Sequence, residues 1–113
     1  MGNIADYATV QQWVRGLKEQ WGDEPDMVQR YEVLQRFAGF TGKDPDAMIA
    51  ECTREVESGK RIRIKGRREY SEAIAKFQAT VEGNPRQQSR AANYIRSFFI
   101  HNGIFMQAGL TGE

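Results

Sequence analysis

Apolar residues recur along this chain mostly at helical spacing. Val10, Trp13, Val14, Leu17 and Trp21 share one stripe and predict a helix over 9–21. Gly22-Asp23-Glu24-Pro25 breaks it. Asp26 is placed to cap a second helix running to about Phe40, with Met27, Tyr31, Leu34, Phe37 and Ala38 inward and Gly42 at its end. Asp44 before Pro45 supplies N-cap and first helical residue for a third helix over 45–57, with Met48, Ile49, Cys52 and Val56 inward. Ser58 to Gly66 reads as a loop or short irregular hairpin. There Ile62 and Ile64 alternate with Arg61, Arg63 and Lys65 at a strand-like period of two. A fourth helix over 67–82 carries Tyr70, Ile74, Phe77 and Val81 on one side and stops at Gly83-Asn84-Pro85. A fifth spans 86–101 and ends at Asn102-Gly103. The tail from Ile104 to Glu113 is polar and Gly-rich, and is expected to be partly flexible. The expectation is an all-α bundle of four to five helices forming one domain over 1–113, with its core at 8–105.

The fifth helix has two different faces. Ala91, Ala92, Ile95, Phe98 and Phe99 form a buried stripe. Arg86, Arg90, Asn93 and Ser97 follow one another on the opposite side, with Arg96 at its edge. A polar front of this kind on a rigid apolar back can enter a DNA major groove, where Arg reads guanine, Asn reads adenine, and Ser or Arg holds phosphate. The same pattern also describes the solvated side of an ordinary bundle helix.

Charge sharpens this picture. The net charge of the 113 residues is only +1, but it is unevenly spread. Residues 1–57 hold 11 acidic and 6 basic side chains, and residues 58–113 hold 4 acidic and 10 basic. The densest positive run is Lys60-Arg61-Ile62-Arg63-Ile64-Lys65-Gly66-Arg67-Arg68, suited to phosphate contacts without base readout. A solvated loop, or a partner for the acidic 44–57 segment, would also explain it.

Little in the sequence suggests catalysis. His101 is the one histidine and lies at a helix end, where it suits a C-cap or the surface. Cys52 is the one cysteine. It excludes an intrachain disulfide, fits a reducing cytoplasmic setting, and reads as a small buried hydrophobe. No metal-ligand pattern or phosphate-binding Gly-rich loop is present, so neither metal nor cofactor is expected. No apolar run approaches membrane-spanning length, and the N-terminus shows no signal-peptide pattern, so no membrane partner is expected. No small-molecule substrate is expected either. Trp13 and Trp21 read as core aromatics, or as interface residues should the first helix be loosely attached.

Four segments together resemble the core-binding domain of tyrosine recombinases, the phage-integrase family. Tyr31 to Asp46 resembles its first core helix and turn, in which a Y-x-x-x-L-x-x-F-x-x-F core precedes a Pro-initiated helix; here Tyr31, Leu34, Phe37 and Phe40 follow one another in steps of three, one residue shorter at the start. Ser89 to Ile104 resembles its last core helix, with an I-R-S-F-F-x-x-N-G-I-like run. The helix at 67–82, with Phe77, matches the one between them, and Val10-Gln11-Gln12-Trp13 resembles the short segment that leads into the first. The resemblance implies a SAM-like helical bundle lying on one face of double-stranded DNA, with a separate catalytic domain clamping the other face. That catalytic domain is absent from this chain, so the chain itself is expected to be no enzyme. Tyr7, Tyr31, Tyr70 and Tyr94 are not taken for the nucleophile. Partners would be duplex DNA, the catalytic domain of the same recombinase, and other protomers of a synaptic complex at the nucleoid. By position, the resemblance implies DNA contacts from Arg86, Gln87, Ser89, Arg90, Asn93 and Arg96 on the last helix. Lys60, Arg61, Arg63, Lys65, Arg67 and Arg68 would add phosphate contacts. One departure stands out: the family's DNA surface is basic on two helices, whereas helix 45–57 here is acidic. The rival readings are a helical protein-interaction module, docking through the Trp13/Trp21 helix and the acidic face, and another type of helical DNA-binding regulator.

Overall fold

The structure, a computed structural model, describes residues 3–22 and 26–106. After a short 3-10 turn at Ile4–Asp6 come helix α1 (Ala8–Trp21), α2 (Val28–Thr41) and α3 (Pro45–Glu51), a hairpin of β1 (Thr53–Val56) and β2 (Gly59–Ile62), and then α4 (Ile64–Thr80) and α5 (Pro85–His101). The fold is thus mostly helical, with one two-stranded antiparallel sheet. No helix among the described residues is long and apolar enough to cross a membrane.

Local chemistry sets the helix boundaries. Asp44 Oδ1 accepts the Ala47 N–H at 2.7 Å, and Pro45 occupies the first turn, where its missing donor is harmless. Asn84 and Gln87 form a reciprocal capping box at the start of α5. Asp26 Oδ1 accepts the Val28 N–H at 3.1 Å, but from one position ahead of the cap: the N-cap of α2 is Met27, not Asp26 as expected. Gly42 closes α2 at φ 75°, a left-handed conformation that an L side chain resists. The break expected at 22–25 begins with Gly22 at the end of α1; its residues 23–25 lie outside the described residues.

Helix α5 is the hub and packs against α1, α2 and α4. Ala91, Ala92, Ile95, Phe98 and Phe99 are all buried on it, as their spacing predicts. Phe98 meets Trp13 edge-on with ring centroids 5.6 Å apart, and Phe99 meets Tyr70 at 5.5 Å. Phe37 and Phe40 of α2 both reach Phe77 of α4. Such aromatic pairs add about 1 kcal/mol each beyond the area they bury.

Four expectations are corrected. The third helix stops at Glu51 instead of continuing to 57, so Val56, Glu55 and Glu57 are not helical. A longer helix would have set Glu55 and Glu57 against the negative end of its dipole. The β-branched Thr53 and Val56 instead enter a strand, and Glu55 faces Lys60 across the ladder. Second, the loop or short irregular hairpin expected at 58–66 is a hairpin strand, but its partner lies in the preceding segment, and α4 begins at Ile64 instead of 67. The first turn of α4 crosses the end of α3 so closely that a Cβ on Gly66 would lie 2.2 Å from the Glu51 carbonyl oxygen. Third, Trp21 continues the α1 stripe but is 49% exposed, because it lies in the last turn of the helix, beyond the core. Fourth, the tail does not leave the core at Ile104. Ile104 and Met106 are buried, and the Ile104 N–H donates to the Phe99 carbonyl at 2.9 Å. Residues 107–113 of that tail lie outside the described residues.

The acids of the 44–57 segment are largely engaged within the fold. Asp44 caps α3, and Asp46 Oδ1 accepts both the backbone N–H and the hydroxyl of Thr9, tying α3 to the start of α1. Glu51 accepts the Tyr70 hydroxyl at 2.7 Å and pairs with Lys43 at 3.1 Å. The Tyr70 hydrogen bond, with Lys43 adding to it, holds the Glu51 carboxyl below its ordinary value, while burial pushes the Tyr70 hydroxyl up. A depressed carboxylate stabilises the fold above its unfolded-state value and loses that contribution as pH falls through the folded one. Tyr70→Phe is therefore expected to cost about 1 kcal/mol at neutral pH and to move the Glu51 midpoint upward. The difference in stability from the parent should shrink under acid. A carboxyl NMR titration checks this; an unmoved midpoint would exclude the hydrogen bond as the cause. Cys52 is buried, and burial pushes its thiol up to about 12, consistent with a packing role.

Candidate nucleic-acid interface

The front of α5 is only partly the open face that its sequence suggests. Arg86, Ser89, Arg90 and Asn93 are exposed, so the first two and a half turns present a polar ridge. Further along, neighbours close in. Ser97 is half-buried, and its Oγ accepts the Trp13 indole N–H at 3.0 Å, so it serves the α1–α5 contact instead of the front. Arg96 is half-buried and donates to Asn93 Oδ1 at 2.9 Å; burial lowers its pKa from the ordinary value. Asn93 and Arg96 flank an open groove of about 530 Å³, which Gln20, Ile100 and Phe105 also line.

This geometry bears on what each side chain can do. Adenine readout by Asn needs a carbonyl acceptor and an amide donor together. An amide oxygen has two lone pairs, so the bond from Arg96 leaves Asn93 Oδ1 one to offer. Gln87 is committed differently: its Oε1 accepts the Asn84 N–H at 2.9 Å in the capping box. Ser89 Oγ meets Gln78 Nε2 of α4 at 3.4 Å.

The remaining candidates lie elsewhere. Lys60 and Arg61 are on β2, Arg63 is the N-cap of α4, and Lys65, Arg67 and Arg68 are in its first turns. All are exposed except the half-buried Arg67. Around α4, Arg67, Ser71 and Gln78 share one stripe at helical spacing, and the Gln78–Ser89 contact sets that stripe against α5. Lys65 points elsewhere, in a stripe with Glu69, Glu72 and Lys76 whose charges cancel.

Two clusters result instead of one. Helices α4 and α5 run antiparallel, as the Tyr70–Phe99 contact at one end and the Gln78–Ser89 contact at the other require. Arg67 and Arg68 are therefore level with the end of α5, offset from Arg90 along the helix axis by roughly ten residues, about 15 Å. Successive half-sites on duplex DNA are about 34–36 Å apart, one helical turn. The two clusters are thus spaced by nearly half a turn of duplex.

One group could not be anticipated from the sequence. The Arg30 guanidinium lies between the Trp21 and Tyr94 rings, with its carbon 4.9 Å from each centroid. This stack joins the end of α1, the start of α2 and the middle of α5. It gives the half-exposed Trp21 a partner and ties Tyr94 to the same cation. Each member reads on its own as an ordinary stripe or surface residue.

No protein-family model, curated protein or solved structure matches the chain.

Proposed function

We propose that this chain is a duplex-DNA-binding domain acting as the core-binding domain of a tyrosine recombinase. In this reading it lies on one face of the DNA, performs no chemistry itself, and positions a separate catalytic domain. The observation that carries the proposal is the Arg86–Arg90–Asn93 ridge. It stands on a helix held by three neighbours, so its backbone is already fixed before binding and only the side chains remain to be ordered. The basic end of α4 and the hairpin, nearly half a duplex turn away, supports it as a second contact. The segment resemblance described above supplies the recombinase context. The engagement of Asp44, Asp46 and Glu51 inside the fold counts against the acidic segment as a docking face for a basic partner.

Fluorescence anisotropy of a generic duplex of about 30 base pairs, at several salt concentrations, tests the reading. Binding at low salt is expected, with log K falling by about 0.9 per neutralised phosphate for each unit of log salt. No binding at low salt would reject it. Selection from a random-sequence pool should then give a preferred duplex. Arg90→Ala with Asn93→Ala is expected to weaken that duplex by about 1–3 kcal/mol per lost base contact while sparing random DNA. Equal losses on both would exclude base reading. The half-exposed Ile100 and Phe105 beside the Asn93 groove favour a second reading, a protein-interaction module, which gains weight if the duplex does not bind.

A further inference from the structure

The hairpin has two chemically different faces. Its register pairs Thr53 with Ile62, Arg54 with Arg61, Glu55 with Lys60 and Val56 with Gly59. The Arg63 N–H donates to the Cys52 carbonyl at 2.7 Å, so the pairs alternate from there, and Arg54 and Arg61 form a hydrogen-bonded pair about 5.5 Å apart at Cα. Alternation along the strands puts Thr53, Ile62, Glu55 and Lys60 on one face. Arg54 and Arg61 share the other with Val56. On the first face the charges are complementary; on the second, two guanidinium groups stand directly opposite each other.

Like charges directly across a ladder are destabilising. Neither Arg54 nor Arg61 makes an ion pair among the described residues, and both are exposed. Arg63, next in alternation after Arg61, extends the positive charge, part of which is felt by Glu51. Arg61 and Arg63 lie two strand residues apart, about 6.6 Å.

We infer that the Arg54/Arg61 face of the hairpin binds backbone phosphates of duplex DNA, while its Lys60 face does not. This rests on the DNA-binding reading above and adds to it a residue, Arg54, and a sidedness. Phosphate supplies the counter-charge that the Arg54/Arg61 face of the free hairpin lacks. The repulsion between the two guanidinium groups is then the stability cost of a functional surface.

The experiment compares three variants of the full chain with the parent on a random-sequence duplex across a salt series. Arg54→Ala with Arg61→Ala is expected to flatten the log K against log salt slope by about 1.8 and to lower affinity about 60-fold near 0.1 M salt. Its melting temperature should stay level or rise, because a repulsion has been removed. Lys60→Ala should leave the slope unchanged. Arg54→Lys with Arg61→Lys should keep the parent slope. The inference is overturned if the double alanine variant keeps the parent slope while the parent still binds, and the DNA-binding reading survives that result. It is also overturned if Lys60→Ala flattens the slope as much per residue, which would mean that net charge alone matters. A loss confined to one selected sequence, with no change of slope, would assign these arginines to base readout and overturn it too. A parent chain that binds no duplex at low salt rejects both readings together.

Discussion

Phe98→Ala is expected to destabilise this domain by about 3–5 kcal/mol, the usual cost of removing a fully buried phenyl ring. Phe98 is wholly buried in the central helix, edge-on to both Trp13 and Phe99, with centroids at 5.6 and 5.4 Å. Folded domains of this length are stable by roughly 0.05–0.15 kcal/mol per residue, so the loss would remove a large share of the total. A fall in melting temperature on the order of 15 °C should follow. The informative control is Trp21→Ala. Trp21 carries the larger side chain and falls on the same kind of stripe, but it is 49% exposed and is covered by the Arg30 guanidinium. Its removal should cost about 1 kcal/mol, the scale of a cation–π contact plus partial burial. Thermal melts of the two variants separate the cases. A Trp21 variant as unstable as Phe98→Ala would mean that the first helix is buried to its end.

That pair of residues also marks how far the sequence can be read. Periodicity identifies the inward side of a helix, so Val10, Trp13, Leu17 and the Ala91–Phe99 stripe could be assigned from spacing alone. It says nothing of where the neighbouring helices end, and Trp21 lies beyond them. The hairpin was half legible. Alternation at Ile62 and Ile64 pointed to a strand, but its partner was hidden in a segment whose Asp-Pro start announced a helix and whose alternation covers only four residues. The α5 front was legible as a stripe and not as an exposed surface. Ser97 belongs to Trp13, 84 residues earlier, and Gln87 belongs to its own helix cap. Arg54 went unnoticed because its significance depends on register. Only pairing with Arg61 makes it half of an unbalanced charge pair.

Reversing four charges, with Arg61, Arg63, Arg67 and Arg68 each changed to Glu, should have the largest effect on binding of any change to this surface. Each phosphate contact contributes about 0.9 to the salt slope, so loss of four flattens it by about 3.6. Over the decade between 1 M and 0.1 M salt, that difference amounts to more than three orders of magnitude in affinity. Repulsion from the new carboxylates would add to it at low salt. The loss should be the same for every duplex sequence, because side chains that contact only phosphates read no bases. Folding should survive, since three of the four are exposed and only Arg67 is half-buried. Far-ultraviolet circular dichroism establishes that before binding is measured. A folded variant with an unchanged slope would remove the hairpin and the start of α4 from the interface. The Arg86–Arg90–Asn93 ridge would then have to supply the affinity alone. Two arginines can account for a slope of only about 1.8, so a parent slope much steeper than that already requires the second cluster.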